Sequence, residues 1–158
     1  ARYTLEDYTG ALAWFRQALE VRRGSGYLQG LIINLHNIGD SYLRLGEEGK
    51  AHGAFSEALK LARDVGLERS VVLNQAFLDF LAAGRQDEEA LERLSLAEAE
   101  ARALDDPETA LTVRLLYGRA LLLTDRDRAE EVLRSGLEEA QSVGHAWLAR
   151  DLERALLS

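Results

Sequence analysis

The sequence predicts an all-α fold, an α-solenoid of antiparallel helix pairs with about eight helices, and three observations predict it. A block of about forty residues recurs four times, and apolar residues within the blocks fall at helical spacing. The 158 residues include a single proline, Pro107, with 47% hydrophobic and 29% charged side chains. That composition describes an ordered, mostly helical chain rather than a disordered one. A chain of this length builds a core without help from disulfides or metals. With no cysteine present, neither a disulfide framework nor a thiolate site is available.

The repeat is clearest in its second helix. Aligning 8–19 with 48–59, 87–98 and 126–137 superimposes the small residues Ala11, Ala51, Ala90 and Ala129, which stand 40, 39 and 39 positions apart. Four places on, bulky residues coincide at Phe15, Phe55, Leu94 and Leu133, followed by small ones at Ala18, Ala58, Ala97 and Gly136. Each copy closes on a turn residue, Gly26, Gly66, Asp105 or Gly144. Glycine, and less often aspartate, tolerates the left-handed conformation in which many helices end, so these residues are expected to stop the second helices.

An earlier helix in each unit carries its own stripe. Leu35, Ile38, Gly39 and Tyr42 correspond to Leu73, Ala76, Phe77 and Phe80, and then to Arg114, Tyr117, Gly118 and Leu121. The spacing i, i+3, i+4, i+7 places each set on one buried helix face. Between the two helices lie short breaks, 46–48, 84–87 and 124–127, which carry turn chemistry. Their lengths vary by one residue, which a solvent turn tolerates, whereas an insertion inside a helix would rotate its stripe by about 100°. Asp106–Pro107 reads as a helix start, with the aspartate as cap and the proline in the first turn.

The run Leu35-His36-Asn37-Ile38-Gly39-Asp40-Ser41-Tyr42-Leu43-Arg44-Leu45-Gly46, followed by Ala51, Phe55 and Ala58, resembles the tetratricopeptide repeat signature. The resemblance implies a right-handed superhelix of hairpins in which Gly39 and Ala51 let two helices approach while Tyr42 and Phe55 fill the space between pairs. Two residues depart from the pattern, Phe77 where a small residue is usual and Arg114 where a large apolar one is usual. The family's period is about 34 residues, so a period of 39 to 40 implies helices longer by over one turn. Elongated units of this kind resemble those of kinesin light chain and of the sensor segments in some large bacterial transcription activators. HEAT-type repeats share the period but lack the small-and-aromatic signature. One domain is expected, with 1–26 as a leading half-repeat, repeats at 27–66, 67–105 and 106–144, and 145–158 as a capping helix. The leading half-repeat contains only a second helix, from about 7 to 23, so the chain is expected to start inside a repeat.

A net charge of −8 and a pI near 4.9 disfavour a phosphate backbone as ligand and favour a neutral or basic partner. The longest apolar stretch, 115–123, is interrupted by Arg119 and is too short to span a bilayer, so a soluble, cytoplasmic protein without membrane association is expected. His36, His52 and His145 lie far apart, and none has the i, i+4 partner of a helix-borne metal site. The glycines at 24, 26 and 30 follow no strand and lack the spacing of a nucleotide loop, so 24–30 reads as an inter-repeat turn. The acidic doublets fall in turns or on outer helix faces. No nucleophile–base pair appears, so the sequence predicts neither an enzyme nor a cofactor.

What remains is a binding surface. By resemblance, the first helix of each pair lines the concave face. The polar residues there that packing does not require are His36, Asn37, Asp40 and Arg44, then Asn74 and Gln75, then Thr112 and Arg119. Carboxamides both donate and accept, so His36–Asn37 and Asn74–Gln75 could pin a peptide backbone over an apolar floor of Leu78, Leu81 and Leu115. A protein or peptide ligand is therefore the expected partner. Two alternatives belong to other classes: a ligand- or peptide-sensing segment of a bacterial transcriptional regulator, and a self-assembly module that forms a homo-oligomer through the leading half-repeat.

Overall fold

In the computed structural model, residues 9–17 and 28–158 are described, and among them every regular element is helical. Residues 9–17 form α1. There follow α2 (Leu28–Arg44), α3 (Glu48–Val65), α4 (Glu68–Gly84), α5 (Glu89–Ala103), α6 (Pro107–Leu121), α7 (Arg126–Ser142) and α8 (Ala146–Leu157). The remainder of the leading helix expected over 7–23, and the turn expected at Gly26, lie outside the described residues. Leu28, Gln29 and Gly30, expected in a turn, instead open α2, where Gly30 is buried.

Five helices, α2, α3, α4, α5 and α7, stop where the backbone turns left-handed. Gly46, Gly66 and Gly144 have φ of 78°, 73° and 75°, and Gln86 and Asp105 adopt 67° and 55°. At each of these five turns the next amide N–H reaches back five residues, Glu47 to Tyr42, Leu67 to Ala62, Asp87 to Ala82, Asp106 to Ala101 and His145 to Ala140. These bonds satisfy carbonyls that the helix ends leave unpaired. Helix starts are capped by side chains where the sequence supplies them. Asp106 accepts from the Thr109 amide at 3.2 Å, with Pro107 following it, and Asp125 accepts from the Arg128 amide at 3.1 Å.

The chain packs as two compact units, Ala1–Leu78 and Asp79–Ser158, and α4 contributes residues to both. In the first unit α2 and α3 form an antiparallel pair whose core is Leu31, Ile32, Leu35, Ala58 and Ala62, with Leu67 and Val71 packed against it. In the second unit α5, α6, α7 and α8 each pack on the next, and α8 also reaches α6. Its core joins Leu111, Leu115 and Leu133 to Leu148, Leu152 and Ala155.

The second-helix stripes read from the sequence are buried in the three full repeats. Ala51, Phe55 and Ala58, Ala90 and Leu94, and Ala129 and Leu133 are all fully enclosed. Small and large residues sit against each other for a steric reason. A Cβ added to Gly39 would lie 2.7 Å from Phe55 Cε1, and one added to Gly118 would lie 2.5 Å from Leu133 Cδ2. Glycine on the first helix thus lets the bulky residue of the second lie against its backbone, in both hairpins at the same repeat position.

Candidate functional site

Leu35 and Ile38 face the core of the first unit, which by helical geometry turns His36 and Asp40 toward a neighbouring face of α2. His36 is half-buried. Its ring is tilted against Phe55 of α3, with centroids 5.4 Å apart, and meets Phe77 of α4 edge-on at 4.9 Å. Phe55 and Phe77 stack on each other at 4.8 Å with 28° between their planes. Phe77, the departure from the small-residue pattern, is therefore one wall of a slot that holds the imidazole.

The polar side of the slot is Asn74, which is 1% exposed. Its Nδ2 donates to the Ser70 carbonyl at 2.8 Å, and its Oδ1 lies 2.9 Å from His36 Nδ1. Asn74 was expected to present its carboxamide to a ligand; the fold turns it inward, and its amide is engaged by Ser70 and His36. Burial in the slot disfavours the charged imidazolium and lowers the His36 pKa below its ordinary 6.5, opposed by the hydrogen bond to Asn74 and the field of Asp40.

The rest of the polar row in this unit stays accessible. Asp40 and Arg44, at i+4 and i+8 from His36, form an ion pair of 3.2 Å along α2. Asn37 and Gln75 are half-buried, and Gln75 Oε1 accepts from Arg63 Nη2 of α3 at 3.3 Å. Leu78 is half-buried. Hence His36, Asn37, Asp40 and Arg44 share α2, with Asn74 behind them as support.

In the second unit the expected residues occupy different roles. The Thr112 hydroxyl donates to the Glu108 carbonyl of its own helix at 2.9 Å. Leu115 is 7% exposed and belongs to the core with Leu133 and Leu148, and Leu81 is 3% exposed. Arg119 is exposed, with its guanidinium 4.8 Å from the Phe80 ring centroid.

Sequence reasoning missed the charged network that ties α5 to α6 and α7. Arg114 Nε donates to Glu98 Oε1 at 2.7 Å, and Arg114 also reaches Ser135. Arg102 bridges the same Glu98 oxygen at 3.1 Å and Glu139 at 2.8 Å. Arg102 holds the Glu139 carboxyl below the usual carboxylate range, and the pair raises the Arg102 pKa in return. A sequence signal existed. Arg114 stands where the earlier copies have Leu35 and Leu73, and Glu98 stands where the others have Leu19, Leu59 and Leu137. Two opposite charges at two apolar repeat positions compensate each other.

A second cluster joins α4 to α5, where Arg93 binds Asp79 and Asp87, both at 2.9 Å. Hydrogen bonding to Arg93 lowers the Asp87 pKa, and both carboxylates raise that of Arg93. Among the described residues no group of three or more His, Asp or Glu side chains is placed to hold a metal ion, and no helix is long and apolar enough to cross a membrane.

Consecutive helical hairpins with close contacts between glycine and a bulky side chain, and with left-handed stops, define a helical-repeat architecture. Residues 1–64 match the family model described as "Tetratricopeptide repeat", so this part of the chain is similar to tetratricopeptide repeats. Such repeats generally act as non-catalytic scaffolds for protein–protein interaction. No curated protein matches the chain significantly.

Proposed function

We propose that this chain binds a protein or peptide segment along the polar row of α2, with His36, Asn37, Asp40 and Arg44 as the contact residues and Gln75 and Leu78 of α4 flanking them. Asn74 supports His36 from behind. The observation that carries this reading is the anchored ring. An imidazole held between Phe55 and Phe77 and bonded to a buried carboxamide has lost its rotamer freedom, so using it for recognition costs little further entropy. Thr112 and Arg119 of α6 are candidates for a second contact row.

The test uses the full chain and a phage-displayed library of random dodecapeptides. Selected peptides are expected to bind the unaltered chain and to lose affinity on the order of tenfold or more for Asn37→Ala combined with Asp40→Ala. Both side chains are partly exposed, so the thermal midpoint should shift little. Equal binding by the double variant places the contact surface elsewhere. Concentration-dependent light scattering of the chain without peptide would instead favour self-assembly.

A further inference from the structure

The hydrogen bonds around Asn74 fix the orientation of its carboxamide and the tautomer of His36. The Ser70 carbonyl can only accept, so the group 2.8 Å from it must be the Asn74 amide nitrogen. The Asn74 oxygen therefore faces His36 Nδ1 at 2.9 Å, and an oxygen without a hydrogen requires a donor. Nδ1 carries the proton. In a neutral imidazole that leaves Nε2, on the ring edge away from Asn74, with a lone pair and no hydrogen.

We propose that His36 sets the chemistry of the bound segment: locked by Asn74 as the Nδ1–H tautomer, it offers Nε2 as an acceptor, and the ligand meets it with an N–H donor rather than a carboxylate. This rests on the peptide-binding reading of α2. Asn74 is then a positioning residue, buried and remote from the ligand, that acts through the ring. Phe55 and Phe77 fix the plane in which the lone pair points.

The same geometry makes recognition dependent on pH. Protonation at Nε2 replaces the acceptor by a donor and removes the site's complement to an N–H group. Of the elements around the ring, α3 contributes Phe55 and α4 contributes Asn74 and Phe77, all uncharged, while α2 contributes the carboxylate of Asp40. Desolvation outweighs Asp40, so the neutral ring persists below pH 6.5 and binding falls as the pH drops further. Folding stability follows the same sign. A lowered pKa in the folded state means that stability is complete above 6.5 and declines as the pH falls from there toward the folded-state value.

The experiment has two parts. Nitrogen-15 spectra of the histidine-labelled full chain, with the resonance assigned by His36→Gln, read the tautomer directly. Nδ1–H is expected in the unaltered protein, and a mixture enriched in Nε2–H in Asn74→Leu. A dodecapeptide selected at pH 7.5 is then titrated against the unaltered chain and His36→Gln from pH 7.5 to 5, with circular dichroism confirming the fold at each point. The unaltered chain should lose affinity as the pH falls below 6.5, while the glutamine variant, which does not titrate, should show a flat profile. An Nε2–H tautomer, or a flat profile in the unaltered chain with peptide bound, overturns this inference and leaves the peptide-binding reading standing. Failure to select any peptide overturns that reading, and the ligand chemistry inferred here falls with it.

Discussion

At the scale of single residues, glycine shows how the same substitution can have opposite signs within one fold. Gly118 and Gly53 both lie within helices, α6 and α3. A Cβ at Gly118 would lie 2.5 and 2.6 Å from the terminal and branching carbons of Leu133, a residue with no exposed surface and no space to retreat. A Cβ at Gly53 meets nothing within 4 Å. Gly118→Ala should therefore destabilise the protein by about 1–3 kcal/mol through overpacking. Gly53→Ala should stabilise it by about 0.5–1 kcal/mol, because alanine loses less backbone entropy in a helix. Urea denaturation of the two variants checks both signs, and a shared sign would contradict the close approach seen at Gly118. The repeat alignment identifies this difference in advance, since Gly118 falls on the stripe shared with Gly39 and Gly53 does not.

At the scale of elements, α5 and α6 are joined by a pair of charges at two repeat positions that are leucine in other copies. The Glu98 side chain is 11% exposed and that of Arg114 is 23% exposed, so neither charge is well solvated when the other is removed. Glu98→Leu alone should cost about 2–3 kcal/mol, much of it the penalty for stranding Arg114 and Arg102. Glu98→Leu with Arg114→Leu restores the apolar residues present at the equivalent positions of the other copies, and should recover most of that loss. A double-mutant cycle by thermal or urea denaturation measures the coupling, and strictly additive losses would contradict it. The turns at the helix ends follow local rules instead. Gly66, Asp105 and Gly144 were legible as left-handed stops from residue type and spacing. Gln86 at φ 67° was not, because glutamine carries no left-handed preference and is held there by the hairpin around it.

At the scale of the whole molecule, repeat proteins distribute stability among nearest neighbours. The α8 helix supplies Leu148 and Leu152, both fully buried against Leu111, Leu115 and Leu133. Removing residues 145–158 should expose that face and raise amide hydrogen exchange in α6 and α7, while α2 and α3 keep their protection. A uniform rise along the chain would show instead a single cooperative unit. The helices, their pairing and the buried stripes were determined by the sequence alone, because helical periodicity, small–large alternation and turn chemistry are local properties repeated every 39 to 40 residues. The fate of the polar residues was decided only by tertiary structure. Asn37 and Asn74 look alike as polar residues on first helices, yet one is half-buried and the other is enclosed and bonded to His36, 38 positions away. Arg114 looked like a packing fault until Glu98, 16 positions earlier, was seen 2.7 Å from it. A polar side chain's role depends on which partner the packing of separate helices brings within hydrogen-bonding distance, and no local period encodes that meeting.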